Sequence, residues 1–506
     1  MKRREFLQGS LGATVAASLN SLAAAQTGAP QLPSVTAVQG DGKSVTVSGA
    51  ALQELREALH GRLLLPQDDG YEEARHIVTR RFDRRPAFIV QATGAADVAT
   101  AIDFARDRSL LLAIKGGGHS ECGVSATEGG MMIDLSPMRA VRVDARAKRA
   151  WVAGGTLAGL VDHETQSHGL IVPMGDKSTV GVGGLATAGG FGLVSRRFGL
   201  TLDAIRSVDI VTARGELVHA SDTESPDLFW AVRGGGGNFG IVTEFEFELY
   251  PMRSRVVGGA IEFPFAEAHQ VLSAYSDLMT SAPDELYVDC FVNVFDTMDA
   301  STVHFGICYS GDERDAERVI APIQSFGRVL SNTVAAQSYL ALQGSDQRPQ
   351  PRSVSNTNVV PREYYYRAGF ATGIDKDLVE AVAAGAQPAR GRNTTLLFQP
   401  AGGAIMRVGK TATAFSHRSI THDTILLSSW VADATADRHR HYAEQFWHGV
   451  KNHLRGFYNN DMAGAVAPSE VAVNFGENYP RLLGAKRTYD PDNLFRLNAN
   501  IDPKVS

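Results

Sequence analysis

Glycine is concentrated in one region of this chain. Of the 506 residues 51 are glycine, and four glycine-rich segments lie between residues 115 and 242: KGGGHS (115–120), GDKSTVGVGGLATAGGFG (175–192), the turn at 196–199 and RGGGGNFGIV (233–242). Glycine loses more conformational freedom on folding than any other residue, so its runs indicate sharp turns or close backbone approaches. Each segment alone fits an ordinary tight turn. Together they predict a surface of bare backbone amides, which can hold phosphate oxygens.

The elements around the first segment differ from the usual dinucleotide fingerprint. That fingerprint places GxGxxG between a strand and a helix, with an acidic residue about twenty positions later. Here KGGGHS follows the apolar run LLLAI, a predicted strand, and leads through Glu121 and Cys122 into GVSATEGG and a further strand, MMIDLS. We therefore expect a long anionic cofactor, such as a dinucleotide, to be held by several glycine loops rather than one.

Hydrophobic periodicity predicts a mixed α/β chain in two main parts. A strand at AFIV (87–90) precedes a helix over AADVATAIDFARDRS that Thr93 can cap, and GIVTEFEFELYP alternates as a strand that ends at Pro251. Residues 255–450 contain less glycine and combine strands such as LYVDCFVNVF and TVHFGICYSG with helices such as DKDLVEAVAAGAQ. This pattern predicts a second α+β domain built on an antiparallel sheet.

The N-terminus is typical of a cleaved export signal. Residues 1–25 have a basic start, a modest apolar run and three alanines at their end. The sequence RREFL at 3–7 resembles the twin-arginine type, and an ordinary secretory signal with two chance arginines is the alternative. The twin-arginine pathway carries folded proteins, which suits a protein that loads a cofactor before export. We therefore expect the mature protein to be periplasmic or secreted.

Composition argues against several classes of function. The net charge of −6 gives no electrostatic basis for binding nucleic acid, and no segment after the signal is long and apolar enough to span a membrane. The three cysteines (Cys122, Cys290 and Cys308) are too few for a disulfide framework, although one pair could bridge. Their spacing makes no metal site, and the 14 histidines show no HExxH pattern. We expect a small-molecule partner, no nucleic acid and no metal.

Four motifs carry a family resemblance. KGGGHS, TVGVGG followed by GGFG, GGNFGIVTEF and the tail with Tyr458-x-Asn460 and YDPDNLFRLNANI together resemble the berberine-bridge-enzyme-like flavoproteins of the vanillyl-alcohol-oxidase superfamily. The resemblance extends from about residue 80 to 503. It implies an α+β (mixed α/β) protein with a PCMH-type FAD-binding domain and a substrate domain whose antiparallel sheet is flanked by helices.

The resemblance, with the pattern above, divides the chain into five segments. We expect the signal at 1–25, a lead-in and the first part of the FAD domain at 26–79, and the PCMH-type FAD-binding domain at 80–254. The substrate-binding domain then spans 255–455, and residues 456–506 return to the FAD domain as a berberine-bridge-type segment.

The resemblance also implies how FAD is held. In that family the first glycine loop wraps the FAD pyrophosphate, and the following histidine, here His119, bonds covalently to the flavin 8α-methyl carbon. An imidazole is a competent nucleophile for this bond; the alternative is non-covalent FAD beside a hydrogen-bonded histidine. Where many members have a second, cysteine link this chain has Lys177, so we expect one link, and Cys122 is expected to be a small buried residue. The expected cofactor-binding residues are Lys115, Gly116, Gly117, Gly118, His119, Ser120, Thr179, Val180, Gly183, Gly184, Gly189, Gly190, Gly240, Ile241, Val242, Tyr458 and Asn460.

The same resemblance implies the catalytic and substrate residues. Oxidation of an alcohol or amine by flavin requires a base for the O–H or N–H proton, and Tyr458 of the Tyr-x-Asn segment is the expected base, with a packed tyrosine as the alternative. Asn460 is expected to bond the flavin or to orient Tyr458. Gln399 is an expected pocket residue. In REYYYRAGF, strand alternation puts Tyr364 and Tyr366 on one face, either toward substrate or in cross-strand packing.

These assignments predict an FAD-dependent oxidoreductase. We expect an oxidase that moves hydride from a hydroxyl-bearing sugar, alcohol or secondary metabolite to FAD and then to O2, giving H2O2. Val180 matches a position that borders the flavin face where oxygen reacts, and a valine there is usual in oxygen-using members. The alternatives are a dehydrogenase that passes electrons to a quinone or other acceptor and a non-catalytic flavin-binding protein. A pure binder needs no base, so Tyr458 argues against the last.

Overall fold

The computed structural model describes residues 32–79, 81–345, 362–462, 464 and 466–505. The predicted export signal at 1–25 lies outside these described residues. Within them the chain forms a mixed α/β fold with one large antiparallel sheet and two smaller sheets that carry the glycine loops. The predicted fold class is confirmed.

The first part of the chain builds a four-stranded sheet in the order β3-β4-β6-β5, in which β4, β6 and β5 run parallel. Its core includes Val98, Ala101, Ile102 and Ala105, the predicted apolar face of helix α3, and all four are fully buried. The elements are β1 (Val35–Val38), β2 (Ser44–Val47), α1 (Gly49–Ala58), β3 (Arg62–Leu64), α2 (Tyr71–Arg75), β4 (Phe88–Gln91), α3 (Ala95–Asp107), β5 (Leu112–Lys115) and β6 (Met131–Asp134).

The prediction that Thr93 caps α3 is wrong. The residue at the N-cap is Gly94, which makes no side-chain cap hydrogen bond. Instead, the carboxylate of Asp97 inside the helix accepts hydrogen bonds from the Thr93 amide and hydroxyl, at 2.8 and 2.7 Å. Asp97 also accepts from the His60 and Gly61 amides, so a buried acid ties the helix start to the preceding loop.

The second part forms a five-stranded antiparallel sheet in the order β11-β10-β12-β8-β7. The predicted alternation of β12 is confirmed for Phe245 and Phe247, which are fully buried. The elements are β7 (Val141–Asp144), β8 (Arg149–Ala153), α4 (Ala158–Gln166), β9 (Leu170–Ile171), α5 (Val182–Ala188), α6 (Ser195–Phe198), β10 (Ile205–Val211), β11 (Leu217–Ser221), α7 (Pro226–Val232), β12 (Ile241–Glu248) and β13 (Tyr250–Pro251).

The large antiparallel sheet follows in the chain and has the order β17-β14-β16-β15-β20-β21-β19-β22, with β18 also paired to β14. Helices α8, α11 and α13 pack beside it and share its apolar core. The elements are β14 (Arg255–Pro264), α8 (Ala268–Ser281), β15 (Leu286–Val294), β16 (Thr302–Tyr309), α9 (Ala316–Ile320), β17 (Ser331–Asn332), β18 (Ala335–Ser338), α10 (Tyr339–Gln343), β19 (Arg362–Ala371), α11 (Lys376–Gly385), β20 (Arg392–Pro400), α12 (Ala404–Arg407), β21 (His422–Val431), α13 (Ala436–Lys451) and β22 (Leu454–Arg455).

The C-terminal helices α14 (Pro468–Phe475) and α15 (Tyr479–Tyr489) return to the glycine-rich part of the chain. The ammonium of Lys486 on α15 is fully buried and donates to the Asn238 carbonyl at 2.9 Å, to Asp490 Oδ2 at 2.6 Å and to the Phe495 carbonyl at 2.9 Å. Asn238, within the RGGGGNFGIV segment, in turn accepts from the Ile501 amide at 3.0 Å. This network joins the tail to one of the glycine loops.

We expect Lys486→Met to destabilise the protein strongly. The substitution leaves the Asp490 carboxylate buried without its cation, and breaking a buried pair by removing one partner costs about 3–5 kcal/mol. The measurement is the shift in urea midpoint of the unfolding transition. Arg481→Met is the matched control on the same helix, because the Arg481–Asp227 pair is exposed and such pairs contribute about 0–1 kcal/mol. Equal shifts for the two variants would contradict the role given to Lys486.

Candidate active site

One long cavity joins the glycine loops to the large sheet. Its volume is about 320 Å³. At one end it is bordered by apolar residues of the four-stranded sheet and the tail, and at the other by residues of β20 and β21. The lining includes Leu112, Leu135, Phe495, Gly116, Gly117, Gly118, His119, Ser120, Lys177, Val180, Gly183, Gly184, Gly240, Ile241, Val242, Leu397, Gln399, Ile425, Tyr458, Asn460 and Asp461.

Two glycine loops meet back to back at Gly117 and Gly181. A Cβ on Gly117 would lie 2.3 Å from the Gly181 nitrogen, and a Cβ on Gly181 would lie 2.2 Å from the Gly117 nitrogen. These are backbone atoms, so no side-chain movement could relieve the overlap. Glycine is required here because the two loops approach each other closely. This reason is distinct from the predicted binding of phosphate by backbone amides.

Other glycines leave open space beside the cavity. A Cβ on Gly184 or Gly237 would have no protein atom within 4 Å, and one on Gly116 would meet only the Gly154 carbonyl oxygen at 3.8 Å. All three line the cavity. The open backbone along this wall suits an elongated ligand with phosphate groups, so the residues present fit FAD.

His119 and Thr179, two predicted cofactor residues, are brought together from loops that lie 60 residues apart. His119 Nε2 is 2.9 Å from the Thr179 hydroxyl oxygen, and the His119 side chain lines the cavity. The contact fixes the plane of the imidazole relative to the cavity. The covalent role of His119 stays a prediction.

Three predicted cofactor residues are placed behind the cavity wall. The Lys115 ammonium donates to the Ala74 carbonyl and lies 3.5 Å from the Asp134 carboxylate, so its charge is already paired. A Cβ on Gly189 would meet the Tyr458 ring at 2.9 Å, and one on Gly190 would meet the Thr201 hydroxyl at 2.1 Å. These two glycines therefore make room for neighbouring side chains. None of the three is among the residues that line the cavity.

Tyr458 lines the cavity at the point where the tail meets the glycine loops. Its hydroxyl oxygen accepts hydrogen bonds from the Gly190 amide at 2.9 Å and from Asn460 Nδ2 at 3.1 Å. Its ring packs edge-on against Phe191, with 5.2 Å between centroids. Burial raises the pKa of Tyr458 well above its usual range, and the Gly190 bond offsets only part of this effect. Its role as base stays a prediction, and this environment makes ionisation difficult.

The predicted substrate residues divide into two groups. Tyr364 and Tyr366 do share one face of β19, since the Arg81 guanidinium lies 5.8 and 5.1 Å from their ring centroids. Tyr366 is buried and Tyr364 is 46% exposed, and neither is among the residues that line the cavity. Gln399 lines the cavity on β20.

Sequence reasoning missed two acidic residues at this end of the cavity. Asp461 directly follows Asn460 and lines the cavity, and Asp423 is fully buried on β21, opposite Gln399 in the strand pairing. The available signals were an acid next to the Tyr-x-Asn segment and a charged residue at the start of the strand segment DTILL (423–427).

The three cysteines are free and buried. Over the described parts of the chain, no three histidine, cysteine or acidic side chains are grouped so that they could hold a metal ion. Within the same described residues, no helix has the length and apolar character needed to cross a bilayer.

Two family models match the chain. A model described as FAD binding domain matches residues 86–221, and one described as Berberine and berberine like matches residues 468–502. The first contains β4 to β11 with the first three of the four glycine-rich segments, and the second contains the returning tail.

Full-length relatives agree with these matches. The (R)-6-hydroxynicotine oxidase of Paenarthrobacter nicotinovorans is 30% identical over 459 residues, covering 89% of this chain and 98% of that protein. A chitooligosaccharide oxidase of Gibberella zeae is 28% identical over 456 residues, covering 84% and 89%. The crystal structure of 6-hydroxy-D-nicotine oxidase from Arthrobacter nicotinovorans superimposes with a TM-score of 0.78 at 30% identity, covering 88% of this chain and 98% of that one.

Fold, cavity and matches define an FAD-binding oxidoreductase. The chain belongs to the berberine-bridge-like family of FAD-linked oxidoreductases, as the sequence motifs predicted. A xylooligosaccharide oxidase from Myceliophthora thermophila shares the fold, with a TM-score of 0.79 at 22% identity over 90% of this chain and all of that one.

Proposed function

We propose that this protein is an FAD-linked oxidase of a small molecule with a CH–OH or CH–NH group, with FAD attached covalently through His119 alone and O2 as electron acceptor. When bound, FAD supplies the acceptor for a hydride and passes two electrons to O2, which yields H2O2. The single observation that carries the proposal is the continuous cavity, which joins the His119 loop to the polar wall formed by Gln399 and Asp461.

The chain's own residues define what each end of this cavity does. Gly116, Gly184 and Gly237 leave an open backbone wall for the diphosphate. The contact between His119 and Thr179 at the cavity supports the proposed attachment. Relatives that are named as oxidases of a hydroxynicotine and of a chitooligosaccharide support both substrate classes, amine and alcohol.

Peroxide release in air tests the proposal. We expect amines or alcohols that bleach the flavin without oxygen to produce one H2O2 per substrate when air is admitted, without any added quinone. Val180 lines the cavity, so Val180→Leu should slow reoxidation of the reduced flavin and leave its reduction unchanged. Fast reduction with reoxidation only by a quinone would contradict the oxidase assignment and favour a dehydrogenase.

We also propose that the protein is exported with its cofactor already loaded. This proposal is supported only by the sequence of residues 1–25. Replacing the two arginines at positions 3 and 4 with lysines should retain the flavin-containing precursor in the cytoplasm.

A further inference from the structure

The residues on both sides of Tyr458 are bonded to one buried side chain, that of Asn474. Asn474 lies near the end of α14 and is 4% exposed. Its Oδ1 accepts a hydrogen bond from the Phe457 amide at 2.8 Å. Its Nδ2 donates to Asn459 Oδ1 at 3.5 Å, which is a longer and weaker contact. The amide group of Asn474 therefore spans the turn of the backbone that carries Tyr458.

His417 fixes the direction in which the Asn474 amide group points. A backbone N–H can only donate, so the atom of Asn474 that faces the Phe457 amide must be Oδ1. His417 Nε2 lies 3.0 Å from the same oxygen, so this ring nitrogen carries the hydrogen of the bond. A Cβ on Gly456, whose φ is +55°, would lie 2.4 Å from the His417 ring and 2.7 Å from Asn474 Oδ1. Glycine lets the chain enter the turn this close to the pair.

The Tyr458 ring packs against an aromatic cluster that His417 also contacts. The Phe191 ring packs edge-on against Tyr458. Its centroid lies 6.2 Å from that of Phe370 and 6.1 Å from that of Phe415. The His417 ring contacts the same two phenylalanines, with 4.7 and 5.9 Å between centroids. His417 thus supports the ring of Tyr458 as well as the backbone beside it.

Other contacts of this turn go to the glycine-rich segments. The Tyr458 hydroxyl accepts a hydrogen bond from the Gly190 amide at 2.9 Å. Asn459 Nδ2 donates to the Gly234 carbonyl at 3.0 Å, and Asn459 lines the cavity. The hydroxyl end of the tyrosine is thus held by a glycine loop, and its backbone end depends on the bonds from Asn474.

We propose that Asn474, held by His417, is a positioning residue that fixes the place of Tyr458 in the cavity. Neither Asn474 nor His417 is among the residues that line the cavity, so both act through the tyrosine. The inference rests on the proposed function as an FAD-linked oxidase and on the predicted role of Tyr458 in it. The alternative is a bond that only holds α14 in place, and the two differ in what its loss changes.

The first experiment measures flavin reduction without oxygen in Asn474→Leu holoenzyme. Leucine has a similar volume and can neither accept from the Phe457 amide nor donate to Asn459. The probes are benzyl alcohol, N-methylbenzylamine and cellobiose. We expect the maximal rate to fall about 10²-fold, because a displacement of about 1 Å can cost that much. The KM should change little, since the lost bonds do not touch the substrate.

A double-mutant cycle tests whether Asn474 acts through Tyr458. Losses at independent sites multiply, whereas losses at coupled sites do not. We expect Asn474→Leu to slow Tyr458→Phe by no more than about twofold, which is the error of such cycles. Losses that multiply in full would overturn the inference. A wild-type rate in Tyr458→Phe together with a large loss in Asn474→Leu would also overturn it.

Asn474→Asp is the conservative variant. Its carboxylate can still accept from the Phe457 amide and from the His417 ring, and only the donor to Asn459 is lost. We expect it to reduce the flavin about tenfold faster than Asn474→Leu, because a lost hydrogen bond between buried groups is worth about that factor. Equal losses in the two variants would contradict the role given to the Oδ1 bonds.

Hydrogen exchange gives a readout that does not depend on turnover. In the holoprotein the Phe457 amide is protected by its bond to Asn474, so Asn474→Leu should speed its exchange about tenfold. Mass spectrometry of peptides that cover residues 456–462 is the measurement. Unchanged exchange at Phe457 would overturn the inference, whatever substrate the enzyme oxidises.

Asn478→Leu is the matched control. Asn478 is 2% exposed in the same C-terminal part of the chain, but its Nδ2 donates to the carbonyls of Lys410 and Thr413, at 2.9 and 3.2 Å. We expect it to lower the urea midpoint of unfolding as Asn474→Leu does, with a wild-type reduction rate and wild-type exchange at 456–462. An equal loss of rate in Asn478→Leu would show that general destabilisation explains the effect, and would overturn the inference.

The outcomes separate this inference from the proposed function. Wild-type rates in Asn474→Leu would overturn the inference and leave the oxidase assignment standing. A wild-type flavin that none of the three probes reduces would count against the oxidase function instead. The exchange at Phe457 would then decide the inference alone.

Discussion

Replacing His119 with alanine will release the flavin. After acid precipitation we expect the yellow colour to appear in the supernatant of His119→Ala and to stay in the pellet of the unaltered protein. The physical reason is that His119 is the histidine that lines the cavity next to the glycine loop, held at 2.9 Å by Thr179, and an imidazole nitrogen is the nucleophile that the attachment needs. Flavin absorbance of the two fractions is the measurement.

Cys122→Ala is the control for this experiment. Cys122 is the thiol nearest in sequence to His119, it lines the cavity and is 4% exposed, and its sulfur lies 3.5 Å from the Ser120 hydroxyl. We expect Cys122→Ala to keep its flavin in the pellet. Colour in the pellet of His119→Ala, and its loss in Cys122→Ala, would move the attachment to the cysteine.

Sequence reasoning was strongest where a motif alone specifies a function. The glycine loops, His119 and the Tyr-x-Asn segment are local patterns, and the structure brings them to one cavity. The motif does not specify why each glycine is needed. Gly190 accommodates the Thr201 side chain, and this contact is visible only when the distant chain is in place.

The two acidic residues near the β20–β21 end of the cavity, Asp423 and Asp461, could not be predicted for a related reason. Asp423 and Asp461 are far apart in sequence. Each fits an ordinary local role, Asp423 as a polar strand residue and Asp461 as a turn residue. Burial, which depends on the whole fold, raises the pKa of both acids. Secondary-structure propensity and hydrophobic periodicity are local properties, so they carry no information about burial by distant parts of the chain.

Lys115 shows what a local motif leaves out about a side chain. A lysine directly before a glycine loop suggests a phosphate contact, yet its ammonium lies beneath the loop, between the Ala74 carbonyl and the Asp134 carboxylate. Because β5 and β6 run parallel in register, Lys115 is paired with Asp134 across the sheet. Its buried ammonium therefore forms an ion pair between β5 and β6. A contact with the cofactor would have to come from the Lys115 backbone.

Gly117→Ala will yield protein with little bound flavin. The new Cβ would lie 2.3 Å from the Gly181 nitrogen and 2.7 Å from its Cα, so the two loops must separate. Overpacking of this kind costs about 1–3 kcal/mol, and each 1.4 kcal/mol is about tenfold in affinity. Because the moving loop carries Thr179 away from His119, covalent attachment should suffer as well. The measurement is the visible absorbance of the flavin per mole of purified protein.

Because Gly117 and Gly181 contact each other, a variant at Gly181 tests the same packing. Gly181→Ala places a Cβ 2.2 Å from the Gly117 nitrogen, so it should reproduce the loss of flavin seen with Gly117→Ala. Gly484→Ala, on α15 with no neighbour within 4 Å of the new Cβ, should keep full flavin, since alanine is the better helix former there. A fully yellow Gly117→Ala protein would show that the loops can separate without disturbing the cofactor site. In that case the close packing of the two loops would matter for folding alone, and flavin binding would depend on the glycines that face open space.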